Sequence, residues 1–287
     1  MNTALECLSP AKLNLFLHIC GKRDDGYHEL QTLFQLIDLC DSLAFNINES
    51  GNIHVTGMPD VPDADNLIVK AAKKLQAMTH KNHLGVDIHV EKRIPQGGGL
   101  GGGSSNAATT LLALNYLWSC QLDQDALLEI GKTLGADVPI FILGTNAFAE
   151  GIGELLTPVE IPPYAYLLAI PPCHVSTQKL FSHPRLTRDT KKKRIAAVLE
   201  EDGSFKNDFE PLTRQLYPEI DAIFTWLSQY GKPRMTGTGA CIYLTFDSTS
   251  QAQKVALELA DLALQAGCKI AVVNGLNKTP VFSALDN

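Results

Sequence analysis

The run Gly97-Gly98-Gly99-Leu100-Gly101-Gly102-Gly103-Ser104-Ser105 is the stretch of this chain best suited to chemistry. Six glycines about one leucine leave a backbone path with little bulk and several N–H groups able to point at one anion. Residues 106–118 read as a helix directly after it, with Ser104 and Ser105 at the place of its N-cap. A helix N-terminus gathers unpaired N–H groups and the positive end of the macrodipole, so loop and helix together suit a phosphate. The P-loop pattern fails because no lysine follows the glycines. Gly97, Gly99 and Gly102 do satisfy G-x-G-x-x-G, but residues 86–95 before them alternate and carry charge. Such a segment suits an antiparallel strand with one wet face, not the buried strand that opens a dinucleotide fold.

A phosphate loop without its own lysine needs a cation and a proton acceptor from elsewhere. Lys12 is a candidate, because residues 11–19 alternate. Ala11, Leu13, Leu15, Leu17 and Ile19 face one way, and Lys12, Asn14, Phe16 and His18 the other. Lys12 and Asn14 can then reach one site, although a solvent-facing lysine on an ordinary strand fits the same pattern. Asp137, in Gly135-Ala-Asp-Val-Pro139, lies between a helix end and an apolar stretch. It is the candidate carboxylate, and a plain turn aspartate is its alternative. Met235-Thr-Gly-Thr-Gly-Ala240 is a further glycine turn, either structural or a means of bringing backbone close to the first loop.

The elements that must position these residues follow from periodicity. Strands are expected at 11–19, within 30–48, at 86–94, 139–143, 147–150, 164–170, 241–246 and 269–273. Helices are expected at 66–78 (capped by Asp65 or Asn66), 106–118, 123–134, 192–201, 217–230 and 250–266. Asp24-Asp-Gly-Tyr27 is a turn. Strands and helices mixed without regular βαβ alternation imply an α+β fold. The proline-rich zone at 155–165 suggests a boundary, dividing the chain into 1–158 and 159–287.

Bulk properties narrow the function. The 287 residues are 45% hydrophobic and 19% charged, as in a soluble globular protein with ample core. A net charge of −7 argues against a nucleic-acid partner. No apolar run is long enough for a membrane span, and Met1–Leu8 lacks the features of a signal peptide. Seven scattered cysteines without a Cys-x-x-Cys suit free thiols in a reducing cytoplasm. His80 and His83 suit a solvated loop better than a zinc site, and Lys191–Arg194 a solvated helix start.

Taken together, three motifs resemble the signatures of the GHMP kinases, the family named for galactokinase, homoserine kinase, mevalonate kinase and phosphomevalonate kinase. They are Pro10-Ala-Lys-Leu-Asn-Leu-Phe-Leu, Pro95-Gln96 followed by the glycine run, and Thr236-Gly-Thr-Gly-Ala, in that order. Asp25-Gly-Tyr-His28, Leu67-Ile-Val, Leu134-Gly-Ala-Asp-Val-Pro139 and Ala147-Phe-Ala-Glu-Gly151 are similar to members that act on a cytidine-diphosphate-linked methylerythritol. Gln96 stands where methionine is expected and leaves the glycines intact. The resemblance spans nearly the whole chain and is weakest at about 175–230.

The resemblance implies two α+β domains, the first binding ATP, with the active site in the cleft between them. It implies ATP- and Mg²⁺-dependent phosphoryl transfer to the 2-hydroxyl of that small-molecule acceptor. Asp137 would be the base and Lys12 would orient it. Pro95, Gln96, Gly97, Gly98, Gly99, Leu100, Gly101, Gly102, Gly103, Ser104 and Ser105 would cradle ATP, with Asn66 helping and Ser105 near Mg²⁺. Asn14, Tyr27 and His28 would bind the acceptor, and Phe181 would stack on its cytosine. A different small alcohol as acceptor, or a nucleotide-binding relative without catalysis, are the alternatives; intact Lys12 and Asp137 weigh against the latter.

Overall fold

Two long antiparallel strands, β1 (Leu5–Lys22) and β2 (His28–Asn48), carry the front of the molecule. The turn between them closes through Arg23 N–H donating to Tyr27 O at 2.8 Å. The fold comes from a computed structural model that describes residues 5–200 and 206–286. β2 is the hub: it pairs antiparallel with β1, with two further strands of the first half, and with the last strand of the chain. Gln31 to Ile37 are buried on both faces of β2, as such a central position requires.

β3 (Ile53–Thr56) lies parallel to β4 (Gly85–Glu91), with α1 (Leu67–Thr79) as the crossover. α2 (Gly102–Leu117) is buried all the way round from Ser105 to Leu114. A helix buried on every side belongs inside, and α2, through Ala107, Ala108 and Leu111 to Leu114, is at the centre of the first core. α3 (Gln124–Lys132), capped by Asp123, and α4 (Val138–Leu143) pack beside it. β5 (Ala147–Glu150) and β6 (Leu155–Pro158) complete this half.

The rest of the chain is β7 (Ala165–Ile170), α5 (Thr177–Ser182), α6 (Ile195–Glu200), α7 (Glu210–Leu216) and α8 (Pro218–Leu227). There follow β8 (Arg234–Met235), β9 (Ile242–Phe246), α9 (Thr249–Gln265), β10 (Lys269–Leu276) and α10 (Pro280–Leu285). The strand order is β3-β4-β2-β10-β7-β9-β8, with β1 and β5 also on β2, so a single sheet joins the halves. A second core sits under α7–α9, and a third, with Leu13, Phe16, Phe148, Tyr166 and Tyr243, lies between the halves. The expected division at 158/159 falls at the end of β6, yet α10 returns to pack Val281 into the first core.

Several expectations need correcting. The strand expected at 139–143 is the helix α4. A five-residue apolar run does not separate a strand from a buried helix turn, and Pro139 in the first turn favours the helix. α2 begins at Gly102, not Asn106, with Gly101 at its N-cap, so Ser104 and Ser105 lie in its first turn. The alternation of β1 slips between Asn14 and Leu17. Phe16 joins the core, and Leu17 turns to the same cleft as Lys12 and Asn14. α5, α7 and α10, each a turn or two long, carry too few periods to be seen in sequence. Residue 201, the end of the helix expected at 192–201, lies outside the described residues, as do residues 1–4 of the N-terminal stretch. Among the described residues no helix is long and apolar enough to cross a membrane. The seven cysteines are free, and burial pushes the thiols of Cys7 and Cys40 up to about 11 and about 12.

Candidate active site

The glycine run is clamped from both sides. Lys12 N–H in β1 donates to Leu100 O at 3.0 Å, and Cys241 N–H donates to Gly98 O at 3.3 Å. Leu100, 1% exposed, anchors the loop in the third core. Gly99 and Gly101 have φ of +76° and +75°. A Cβ on Gly99 would stand 2.5 Å from Thr236 O, and one on Gly101 2.9 Å from Phe141 Cζ. Only glycine tolerates both the left-handed backbone and that approach. The result is a groove of about 270 Å³ lined by the loop, Leu67, Lys92 and Ile94. The first N–H groups of α2 have no acceptor within the helix, which suits the groove to phosphate.

Asp41 sets the entry to this loop. It is fully buried, pairs with Lys92, and its other oxygen accepts from Arg93 N–H at 2.7 Å and Ile94 N–H at 2.9 Å. Neither Asp41 nor Lys92 stands out in the sequence; the one signal is a cation on the charged segment just before the glycines.

Lys12 and Asp137 meet beside the loop. Lys12 is 2% exposed, and its Nζ lies 3.3 Å from Asp137 Oδ2. It also donates to Asn14 Oδ1 at 2.6 Å and stands 5.3 Å from the centre of the Phe34 ring. A buried ammonium needs such partners, because losing its hydration is not otherwise offset. Asp137 is the N-cap residue of α4 but makes no side-chain cap hydrogen bond, and 36% of its side chain is exposed. Its carboxylate is therefore paired to Lys12 and open to the cleft. Asn14 Nδ2 donates to Thr32 Oγ1 at 2.9 Å and Asn14 N–H donates to Thr236 Oγ1 at 2.9 Å. Asn14 thus ties Lys12 to β2 and to the Thr236 turn.

The cleft in front of this pair has a volume of about 720 Å³. At its far end Tyr27 is 61% exposed, while His28 is buried. The His28 and Phe181 rings are 4.9 Å apart with planes at 31°, and Phe209 meets Phe181 edge-on at 4.9 Å. Burial, the Arg188 guanidinium and Lys22 hold the His28 imidazole below its ordinary pKa, favouring the neutral ring. Thr177 and Thr238 hydroxyls, 2.8 Å apart, close the near edge. Gly99, Gly101 and Ser104 line both the cleft and the glycine groove, so the two cavities share one wall. An anion on one side and a hydroxyl on the other would meet there, next to Asp137.

Two expected residues stand elsewhere. Ser105 is fully buried and its hydroxyl is 2.7 Å from Ser9 Oγ, so it faces the core, away from any ion in the groove; Ser104 is the serine on the shared wall. This follows from the earlier start of α2, which rotates Ser105 inward. Asn66 caps α1, its Oδ1 accepting from Ile68 N–H at 3.0 Å, and its neighbour Leu67 lines the groove. Pro95 to Ser104, Lys12, Asn14, Tyr27, His28, Phe181 and Asp137 are all brought to the two cavities.

Comparison with known proteins gives the family of the chain. Residues 66–145 match the GHMP kinases N terminal domain, and residues 186–263 the GHMP kinases C terminal domain. A 4-diphosphocytidyl-2-C-methyl-D-erythritol kinase of Marinobacter nauticus is 50% identical over 288 residues, covering 99% of both chains. One from Shewanella loihica is 50% identical over 275 residues, covering 95% of this chain and 94% of its own. A crystal structure of 4-(cytidine 5'-diphospho)-2C-methyl-D-erythritol kinase superposes with a TM-score of 0.80 at 33% identity, over 94% of this chain and 98% of that one. A homoserine kinase from Cytophaga hutchinsonii shares the fold, with a TM-score of 0.72 at 15% identity over 98% and 97% of the two chains. The chain belongs to the GHMP kinase family, within the group of the 4-diphosphocytidyl-2-C-methyl-D-erythritol kinases.

Proposed function

We propose that this chain transfers the γ-phosphoryl group of ATP to the 2-hydroxyl of 4-diphosphocytidyl-2-C-methyl-D-erythritol. The observation that carries the reading is the Lys12–Asp137 pair, set where an aromatic-ended cleft and a glycine groove share a wall. ATP phosphates lie along residues 95–104, held by loop and α2 N–H groups. The cytosine ring lies between Tyr27 and Phe181 beside His28, leaving the methylerythritol to reach toward Asp137. The cleft volume of about 720 Å³ suits a nucleotide-sized acceptor.

In the transfer, the acceptor oxygen forms a bond to the γ-phosphorus as the bond to the β,γ-bridging oxygen breaks, and ADP leaves. Asp137 takes the hydroxyl proton on its exposed carboxylate oxygen. Lys12 orients that carboxylate and faces the charge that spreads over the phosphoryl oxygens. Such a reaction depends on positioning and charge stabilisation more than on covalent help from the protein. Ser104, which lines both cavities, carries a hydroxyl oxygen, a hard donor of the kind that fits Mg²⁺ carried in by ATP. When bound, the ion neutralises phosphate charge.

We further assign the enzyme to the cytoplasm, which its free thiols suit, and divide it at 158/159. The test is Mg²⁺-dependent ADP release against a panel holding the cytidyl acceptor, mevalonate, homoserine and galactose. Turnover confined to the cytidyl acceptor is the expected result. Turnover with another member of the panel removes the acceptor roles of Tyr27, His28 and Phe181. Silence across the panel with ATP still bound makes the chain a non-catalytic relative.

A further inference from the structure

Arg188, in the segment after α5, sends four hydrogen bonds to the aromatic end of the cleft. Nη2 donates to Phe181 O and to His183 O, each at 2.8 Å, and Nη1 donates to Leu186 O at 3.1 Å. Nε donates to Nε2 of His28 at 3.1 Å. Three of these bonds fold the 181–188 segment and are what any loop arginine would make. The fourth is different, since it reaches a residue of β2 and the loop has no need of it.

A guanidinium carries donors and no acceptor. Contact at 3.1 Å with Nε2 therefore requires a lone pair on that nitrogen. A neutral imidazole with its lone pair on Nε2 bears its proton on Nδ1, the reverse of the tautomer favoured by free histidine. The same guanidinium fixes Phe181, whose ring stands 4.9 Å from that of His28.

We propose that Arg188 is the positioning residue of the acceptor site, locking His28 as an Nδ1–H donor and holding Phe181 beside it. The role deepens the reading of this cleft as a cytidine site and rests on it. A base bound here is met by a stacking face and by a ring N–H that seeks a lone pair, which the O2/N3 edge of cytosine supplies. Burial and the charges of Arg188 and Lys22 keep the ring neutral, which the lock requires.

The test uses the full chain labelled with ¹⁵N-histidine, with His28 assigned by the signal lost in His28→Gln. Long-range ¹H–¹⁵N spectra of the wild type should show Nδ1 protonated and Nε2 bare. In Arg188→Met the Nε2–H form should gain, and the acceptor KM should rise about tenfold while kcat stays within about threefold. Arg188→Lys keeps the charge without the fork, and should resemble Arg188→Met in both readouts. An Nε2–H tautomer in the wild type overturns the proposal, and that spectrum decides even if Arg188→Met does not fold. An unchanged acceptor KM in folded Arg188→Met also overturns it. An Nδ1–H ring in a protein inactive on the cytidyl acceptor supports the lock and overturns the functional reading instead.

Discussion

The ammonium of Lys12 and the carboxylate of Asp137 meet at 3.3 Å, one from the first strand and the other from the start of the short helix α4. One partner is buried and the other half open, so the pair has an inner end fixed by Asn14 and an outer end in reach of a ligand. That asymmetry separates what each residue does for folding from what it does for turnover.

Asp137→Asn keeps the shape of the side chain and removes the proton acceptor. Turnover should fall by about two orders of magnitude or more, with ATP affinity nearly unchanged. Steady-state kinetics and an ATP titration check this; turnover within a few-fold of wild type removes Asp137 from the base role.

Lys12→Met replaces a buried cation by an apolar chain of similar length. Asp137 remains partly solvated, so stability should change by no more than about 1–2 kcal/mol, while kcat falls by about two to three orders of magnitude. Denaturant melts beside kinetics would show it. A collapse of stability would make the pair chiefly structural.

Gly101→Ala and Gly103→Ala should part company. At Gly101 the new Cβ meets Phe141 at 2.9 Å and Lys12 Cε at 3.2 Å on a left-handed backbone, a strain of about 1–3 kcal/mol that also displaces Lys12. At Gly103 it meets only Leu67 Cδ1, at 3.8 Å, and sits in a helix, so stability should hold or rise by about 0.5–1 kcal/mol. Melting temperatures of the two variants settle the ranking.

Ser104→Ala and Ser105→Ala should fail differently as well. Ser105→Ala leaves Ser9 without its buried partner and should cost about 1–2 kcal/mol of stability with little effect on the apparent Mg²⁺ requirement. Ser104→Ala should leave stability within about 0.5 kcal/mol and raise the Mg²⁺ concentration needed for half-maximal rate. The reverse pattern would return the metal role to Ser105.

The neutral His28 ring gives a pH signature. Its folded pKa lies below the ordinary 6.5 because of burial, Arg188 and Lys22. Above 6.5 the ring is neutral folded or unfolded. As pH falls below 6.5 the unfolded chain binds the proton first, so this contribution to stability is lost as pH drops through the folded pKa. The acceptor KM should stay flat through 6.5 and climb only at lower pH. A climb that begins above 6.5 would mean that the ring is not held neutral.

Much of this site was legible beforehand for local reasons. Consecutive glycines open left-handed backbone and close approaches that other residues cannot adopt, and the residues that follow form a helix by their own pattern, so the phosphate loop was legible without tertiary knowledge. β5 lies at the expected 147–150, and α3 lies within the expected 123–134. Failures came where one local pattern allows two outcomes. Residues 139–143 suit strand or helix until packing against α2 and α3 decides. Ser104 and Ser105 differ only in which way one helical turn points them. Arg188 had no signal at all, because its partners are mostly backbone carbonyls of its own loop.

The sequence by itself determined that the chain carries an anion-binding loop, a candidate cation in an alternating strand and a candidate carboxylate after a glycine. Whether Lys12 faced solvent or a partner was open, since alternation reports a face and not what covers it. Tertiary structure decided that: β2 and the glycine loop cover Lys12, α4 brings Asp137 to it, and the slip in β1 turns Leu17 into the cleft. Local propensity acts over a few residues, whereas a site assembled from β1, α2, α4 and the Thr236 turn exists only once the cores beneath them have packed.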